Sequence, residues 1–191
     1  MHELSNRASG PFRAINCATL SPELLASELF GHVRGAFTGA TADRQGLFQL
    51  AHRGTLFLDE IAEIPLEIQA RMLRILQEQV FVPLGGTEPV KVDVRFVSAT
   101  HRSLRREVEA GRFREDLMYR IRVVPMFLPP LRERTGDVET LTHHFVGIFN
   151  ERGQRQVEAL TPNAWDALLG HAWPGNVREL RNVIEYAFAV G

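Results

Sequence analysis

The residues in this sequence best suited to chemistry are two carboxylates at the end of an apolar run, where Gly54-Thr55-Leu56-Phe57-Leu58 is followed directly by Asp59-Glu60. In an open α/β sheet, ligands gather beyond the carboxyl ends of the strands, so acids placed there face a shared crevice. Such a pair suits phosphate chemistry: Asp59 to hold Mg2+, directly or through water, and Glu60 to orient or deprotonate an attacking water. The plainer alternative is that both acids solvate a strand end and cap the next helix.

Three other stretches carry functional residue types. Gly35-Ala36-Phe37-Thr38-Gly39-Ala40 sets one aromatic between glycines, with Gly31 and Gly46 extending the permissive backbone on either side. It reads as a contact with another macromolecule, as a phosphate-cradling loop, or as a turn whose Phe folds back into the core. The segment Gly111 to Arg120 places Arg114 and Arg120 on one expected helix. Their planar guanidinium groups suit phosphate oxygens, and the alternative is surface pairing with Glu115 and Asp116. Trp173-Pro174-Gly175-Asn176-Val177-Arg178 reads as a turn into a helix with Arg178 in its first turn, facing either solvent or a ligand.

Positioning these residues requires a layered α/β fold. Between Pro11 and Pro130, short apolar runs alternate with helix-patterned stretches. Strands are expected at Phe12 to Asn16, Thr55 to Leu58, Val94 to Ala99 and Val123 to Leu128, and their near-continuous apolarity suggests a buried parallel sheet. Pro65 to Gln79 carries Leu66, Ile68, Met72, Leu73, Ile75 and Leu76 at helical steps, with Pro65 in the first turn. Val80 to Leu84 and Glu88 to Val92 flank Gly85-Gly86-Thr87 and read as a hairpin. After Pro130 the strand signal stops. Asp137 to Arg152, Pro162 to His171 and Asn176 to Val190 read as helices, and Thr161-Pro162 is a strong start signal.

Composition narrows the classes. The chain of 191 residues balances 22 Lys and Arg against 23 Asp and Glu, which argues against attachment to DNA by bulk charge. A single cysteine, Cys17, excludes an internal disulfide and a cysteine metal cage, and the histidines lack the His-x-x-x-His spacing of a helical zinc site. No apolar stretch approaches the ~20 residues of a membrane helix, and the first residues lack the pattern of a secretory signal. A cytoplasmic protein is expected.

Taken in order, the loop at 35–40, the Asp59-Glu60 strand end, Val94 to Thr100, Phe113 to Arg120, Leu128 to Arg134 and Trp173 to Leu180 resemble one family. It is the AAA+ ATPase domain of the sigma-54-dependent transcriptional activators, the bacterial enhancer-binding proteins, some of which serve two-component systems. The resemblance spans nearly the whole chain. It implies a P-loop NTPase-type three-layer parallel sheet over residues 1–133, followed by a small all-helical lid over 134–191. It implies ATP and Mg2+ as cofactors, sigma-54 RNA polymerase holoenzyme as partner, and a hexameric ring.

By the same resemblance, Gly35, Ala36, Phe37, Thr38, Gly39 and Ala40 form the tip that touches sigma-54, with Leu84 to Pro89 as a second loop moving with it. Asp59 and Glu60 match the Walker B acids, and Asn16 matches the asparagine that holds the glutamate aside. Arg114 and Arg120 match the arginine fingers that reach a neighbouring subunit's nucleotide. Thr100 matches the first sensor and Arg178 the second, while His101 stands where the family commonly has Asn. The 191 residues contain no Gly-x-x-x-x-Gly-Lys pattern, and the sole lysine is Lys91. The resemblance therefore expects the first strand and P-loop to lie outside these residues, with Met1-His2-Glu3-Leu4 as the tail of the P-loop helix and weak nucleotide binding by this chain alone. A binding-only fragment that keeps the partner loop and subunit surfaces is the alternative function. A Mg2+-dependent phosphoesterase built on Asp59 and Glu60 is a third. DNA recognition is expected from a domain not present here.

Overall fold

The computed structural model describes residues 1–153 and 156–190; Gln154, Arg155 and Gly191, which fall in the expected lid, lie outside the described residues. The chain divides into two compact units, Met1–Pro125 and Met126–Gly191, each with its own apolar core.

The first unit begins with β1 (Phe12–Asn16), α1 (Pro22–Phe30), two short strands β2 (Gly31–His32) and β3 (Arg44–Gln45), the one-turn α2 (Leu47–Leu50) and β4 (Thr55–Asp59). It continues with α3 (Leu66–Glu78), β5 (Val80–Phe81), β6 (Val90–Lys91), β7 (Arg95–Ser98), α4 (Leu104–Glu109) and α5 (Glu115–Ile121). β1, β4 and β7 form a parallel sheet in that order, with Phe12 opposite Thr55, Asn16 opposite Asp59 and Leu58 opposite Ser98. Central position explains the apolar run of β4: Thr55, Leu56 and Leu58 are all buried. Leu56 and Leu58 share a core with Leu25 and Leu29 of α1, Met72 and Ile75 of α3, and Leu117 of α5. Truncating Leu58 to Ala would cost about 2–5 kcal/mol. The helix α1 starts as Ser21-Pro22 dictates, the serine oxygen accepting from the Leu24 amide and proline occupying the first turn.

Five local expectations are corrected. Val123 to Leu128 is not a strand; Val123, Val124, Phe127 and Leu128 are exposed, because no strand among the described residues offers a ladder to this segment and Pro125 has no N–H to give one. The hairpin shrinks to Val80 paired with Lys91 and Phe81 with Val90, since Pro83 and Pro89 cannot donate farther along. Met1 to Leu4 is no helical tail: Ser5 to His2, Ala8 to Ser5 and Gly10 to Arg7 are three-residue turn bonds. Arg114 does not lie in the helix with Arg120 but caps α5 in an extended conformation, and Pro65 likewise precedes α3 as its cap.

The second unit consists of α6 (Asp137–Arg152), α7 (Pro162–Gly170) and α8 (Asn176–Val190) around Leu131, Phe145, Phe149, Leu168, Trp173, Leu180 and Ile184. Thr161 caps α7 through the Ala164 amide. Trp173 is buried at a positive φ of 50° and donates its indole N–H to the Leu168 carbonyl at 2.9 Å, which anchors the turn into α8.

Candidate active site

The parallel register between β1 and β4 brings Asn16 and Asp59 to the same carboxyl edge of the sheet. The Asn16 amide donates from Nδ2 to Asp59 Oδ2 at 3.2 Å, while its Oδ1 accepts from the Ala18 amide at 2.9 Å. Asp59 Oδ1 accepts from the Glu60 amide at 3.1 Å. Glu60 itself turns left-handed, φ 53° and ψ 48°, an uncommon conformation for a side chain of this kind. The turn redirects the chain from β4 into a short 3-10 segment at Ile61–Glu63, secured by the Ile61 amide on the Ala99 carbonyl.

The resemblance assigned Asn16 to Glu60. In the structure Asn16 serves Asp59, and Glu60 is held instead by His101, whose Nδ1 lies 2.8 Å from Glu60 Oε2 and whose amide donates to the same oxygen at 3.4 Å. His101 lies just beyond the end of β7, after Ala99 and Thr100, so the residue that departs from the family's common Asn occupies a position from which it engages the acid. Thr100 is half-buried, and its hydroxyl oxygen accepts from the Arg102 amide at 3.1 Å. Beneath the acids, Cys17 is buried, and its thiol is pushed up to about 12 by burial and by the negative charges of Asp59 and Glu60. It stays protonated and is no nucleophile.

The arginines are positioned from α3. Gln69 is completely buried, yet every polar atom of its amide is used. Its Nε2 donates to the carbonyls of Ile64 at 2.7 Å and Arg112 at 3.0 Å, and its Oε1 accepts from the Arg114 amide at 2.8 Å. This one side chain sets the backbone at the start of α5. The Arg114 guanidinium forks onto Asp116 at 2.7 and 3.0 Å, the pairing read as the plainer alternative, and holds that carboxyl below the usual range. Arg120 donates to the Leu76 carbonyl in the last turn of α3, at 2.9 and 3.3 Å. Among the described residues neither guanidinium bonds to Asp59 or Glu60. Gln69 escaped sequence reasoning because a glutamine on an amphipathic helix reads as surface. Its spacing of three from Met72 was the available signal.

The glycine-rich loop lies between β2 and β3, apart from the parallel sheet. Gly35 and Gly39 take φ of 81° and 103°, which a side chain rarely adopts, and they fold the tip through Gly35 N to Ala40 O and Ala40 N to Phe37 O. Phe37 is 38% exposed, whereas Ala40 is buried. The second loop is tied alongside: Leu84 donates to the Gly31 carbonyl and accepts from the Val33 amide, both at 3.0 Å. Gly85 at φ 70° lets Ala36 approach to where a side chain would clash, 2.7 Å from the position of a Cβ.

Arg178 belongs to the second unit. It is exposed in the first turn of α8 and lines an open groove of about 470 Å3 with Gly175, Glu179, Asn182, Val183 and Tyr186. The Gly175 amide and then His171 stabilise the Glu179 carboxylate and hold it below its ordinary range.

Comparison with known proteins places this geometry. Residues 1–127 match the model of the sigma-54 interaction domain, and residues 132–191 match that of an AAA+ ATPase lid domain. The chain is 54% identical over 185 residues to the Nif-specific regulatory protein of Herbaspirillum seropedicae, covering 97% of this chain and 34% of that protein. It is 52% identical over 187 residues to the regulatory protein AtoC of Escherichia coli, covering 98% of this chain and 41% of that protein. Among solved structures, NtrX from Brucella abortus in complex with ATP superimposes with a TM-score of 0.91 at 40% identity, over 99% of this chain and 41% of that one. The chain thus spans less than half the length of these relatives. With a parallel sheet ending in paired acids, a helical second unit and these matches, the chain belongs to the AAA+ sigma-54 interaction domain family of the sigma-54-dependent transcriptional regulators.

Proposed function

We propose that this chain is the ATP-hydrolysing domain of a sigma-54-dependent regulator, which in a cytoplasmic homohexameric ring couples hydrolysis to remodelling of sigma-54 RNA polymerase for open-complex formation. Residues 1–133 are its α/β part and 134–191 its lid. The observation that supports this most is the edge of the central strand, where Asn16 steadies Asp59 and Glu60 stands beside it, engaged by His101.

The donor set fits a nucleotide-borne Mg2+ and not a protein cage. Asp59 offers one carboxylate, and among the described residues no group of three or more His, Cys, Asp or Glu side chains is arranged to hold a metal ion. Mg2+ keeps several waters and is held through one or two carboxylates plus phosphates. Bound ATP with its metal supplies the phosphoanhydride to be cleaved. Asp59 would hold the metal, directly or through water, the metal would neutralise charge on the phosphates, and Glu60 would accept the proton of the attacking water. Glu60 Oε2 is engaged by His101, so Oε1, without a hydrogen bond among the described residues, is the free acceptor. Arg114 and Arg120 serve a neighbouring protomer's site, Arg114 by exchanging Asp116 for phosphate, while Thr100 and Arg178 contact phosphate as sensors. Gly35 to Ala40 meets sigma-54 with Phe37 and Thr38 leading.

ATP turnover tests the reading, measured on this chain alone and on the chain joined to the upstream glycine-lysine segment of a relative. The extended chain is expected to hydrolyse ATP and to lose activity in Asp59→Ala and Arg114→Ala. Turnover unchanged in both variants would overturn the assignment.

A further inference from the structure

Under the tip of the glycine-rich loop lies a buried polar pair that the proposed chemistry does not use. Ser27, on the core face of α1, and His32, in β2, are 3% and 9% exposed, and Ser27 Oγ lies 2.8 Å from His32 Nδ1. A hydroxyl and an imidazole removed from water are unfavourable unless each satisfies the other, so the bond fixes the plane of the ring. The backbone of His32 is fixed as well: it pairs with Arg44 across the ribbon and forms a parallel bridge to Leu84 of the second loop. The ring so immobilised faces Phe37, edge to face, with centroids 4.9 Å apart and planes at 70°. Phe37 therefore stands half on this ring and half in solvent, at 38% exposure.

Apart from the close packing of Ala36 against Gly85, the rest of the tip adds little to hold Phe37 in place. Nothing lies within 4 Å of where a Cβ would project from Gly35 or Gly39, and the tip's own bonds are short-range turns. An edge-to-face aromatic contact biases a population by roughly two- to tenfold, enough to set a resting position and weak enough for a partner surface to displace.

We propose that His32, oriented by Ser27, is the positioning residue for the partner contact: its ring seats Phe37 and keeps the loop tip down against β2 and Leu84 until a partner takes the phenyl group. This rests on the reading of Gly35 to Ala40 as the sigma-54 contact. Ser27 acts through His32 and touches no partner. The loop at Leu84 shares the same backbone ladder, so lifting the tip leaves that loop's anchor in place.

The test places 4-fluorophenylalanine at position 37 of this chain and reads its 19F resonance, which reports the ring current of His32. His32→Leu should move the resonance toward the solvent-exposed value, His32→Phe should restore a ring-shifted position, and Ser27→Ala should move it partway. Binding of purified sigma-54 should strengthen roughly two- to tenfold in His32→Leu and Ser27→Ala, because the ring no longer has to leave its seat. A 19F position unchanged in His32→Leu, with circular dichroism confirming the fold, overturns the proposal. If His32→Leu fails to fold, Ser27→Ala decides it by the same two readouts. Should the resonance move as expected while Phe37→Ala binds sigma-54 as well as the parent chain, the seat stands and the contact reading fails.

Discussion

The acid edge of the sheet and the glycine-rich tip, both in the first unit, are built on opposite principles. At the acid edge, partners come from far along the chain: Asn16 on Asp59, His101 on Glu60, and the Cys17 amide on the Asp59 carbonyl. At the tip, bonds run over a few residues, two glycines hold positive φ, and the one large side chain rests half in water. Groups that stabilise developing charge gain by being held before reaction, since no reorganisation is then needed. A group that must follow a partner gains by weak, local restraint. One small unit thus carries both a rigid site and a compliant one.

Several substitutions would break or sharpen that contrast. The largest effect is expected at the rigid site: Glu60→Gln in the extended chain should lower ATP turnover by about 100- to 10,000-fold while nucleotide binding persists, read by steady-state hydrolysis alongside a binding titration. Turnover near the parent value would remove Glu60 from the chemistry. Next comes Gln69→Leu, which strands the buried Ile64 carbonyl together with the part-buried Arg114 amide and Arg112 carbonyl. Urea unfolding should show a loss of about 2–4 kcal/mol, and hydrolysis should fall with it as Arg114 loses its placement. A stability within experimental error of the parent would show that the bonds are dispensable.

A smaller effect concerns the floor of the acid site. The folded state holds the Cys17 thiol protonated up to about 12, whereas the unfolded thiol ionises near ~8.5. Its contribution to stability is complete below the unfolded value and declines as pH rises through that window, because only the unfolded chain releases the proton. The parent should therefore lose stability from about pH 8.5 upward relative to Cys17→Ala, and iodoacetamide should label the native thiol slowly. The smallest change belongs to the compliant region. Phe37→Ala should shift unfolding by only about 0.5–1.5 kcal/mol, since the ring forfeits one aromatic contact and is already partly solvated. A loss as large as that of Gln69→Leu would mean that the tip is part of the core and the contrast false.

The α/β arrangement was legible in the sequence because β4 is an unbroken apolar run and α3 an amphipathic one, patterns that survive any detail of packing. The strand expected at Val123 to Leu128 shows the limit: apolar, β-branched residues favour extension, but a strand exists only where a neighbour supplies the ladder. The site was legible as residue types. Its wiring was not, since the amide assigned to Glu60 by resemblance reaches Asp59, and Gln69 carried no local sign of its role.

The amino-acid order alone determined the start of α7 at Thr161-Pro162, the carboxylates at the end of β4, and the glycine positions of the loop. Each depends on backbone torsion, capping or periodicity within a few residues. Only the tertiary structure decided that His101 engages Glu60, that Gln69 sets Arg114, and that Ser27 and His32 lie beneath Phe37. Those contacts depend on sheet register and on how α1, α3 and the β2 ribbon pack. Hydrogen bonds between distant residues follow from such packing and leave no periodic trace along the chain.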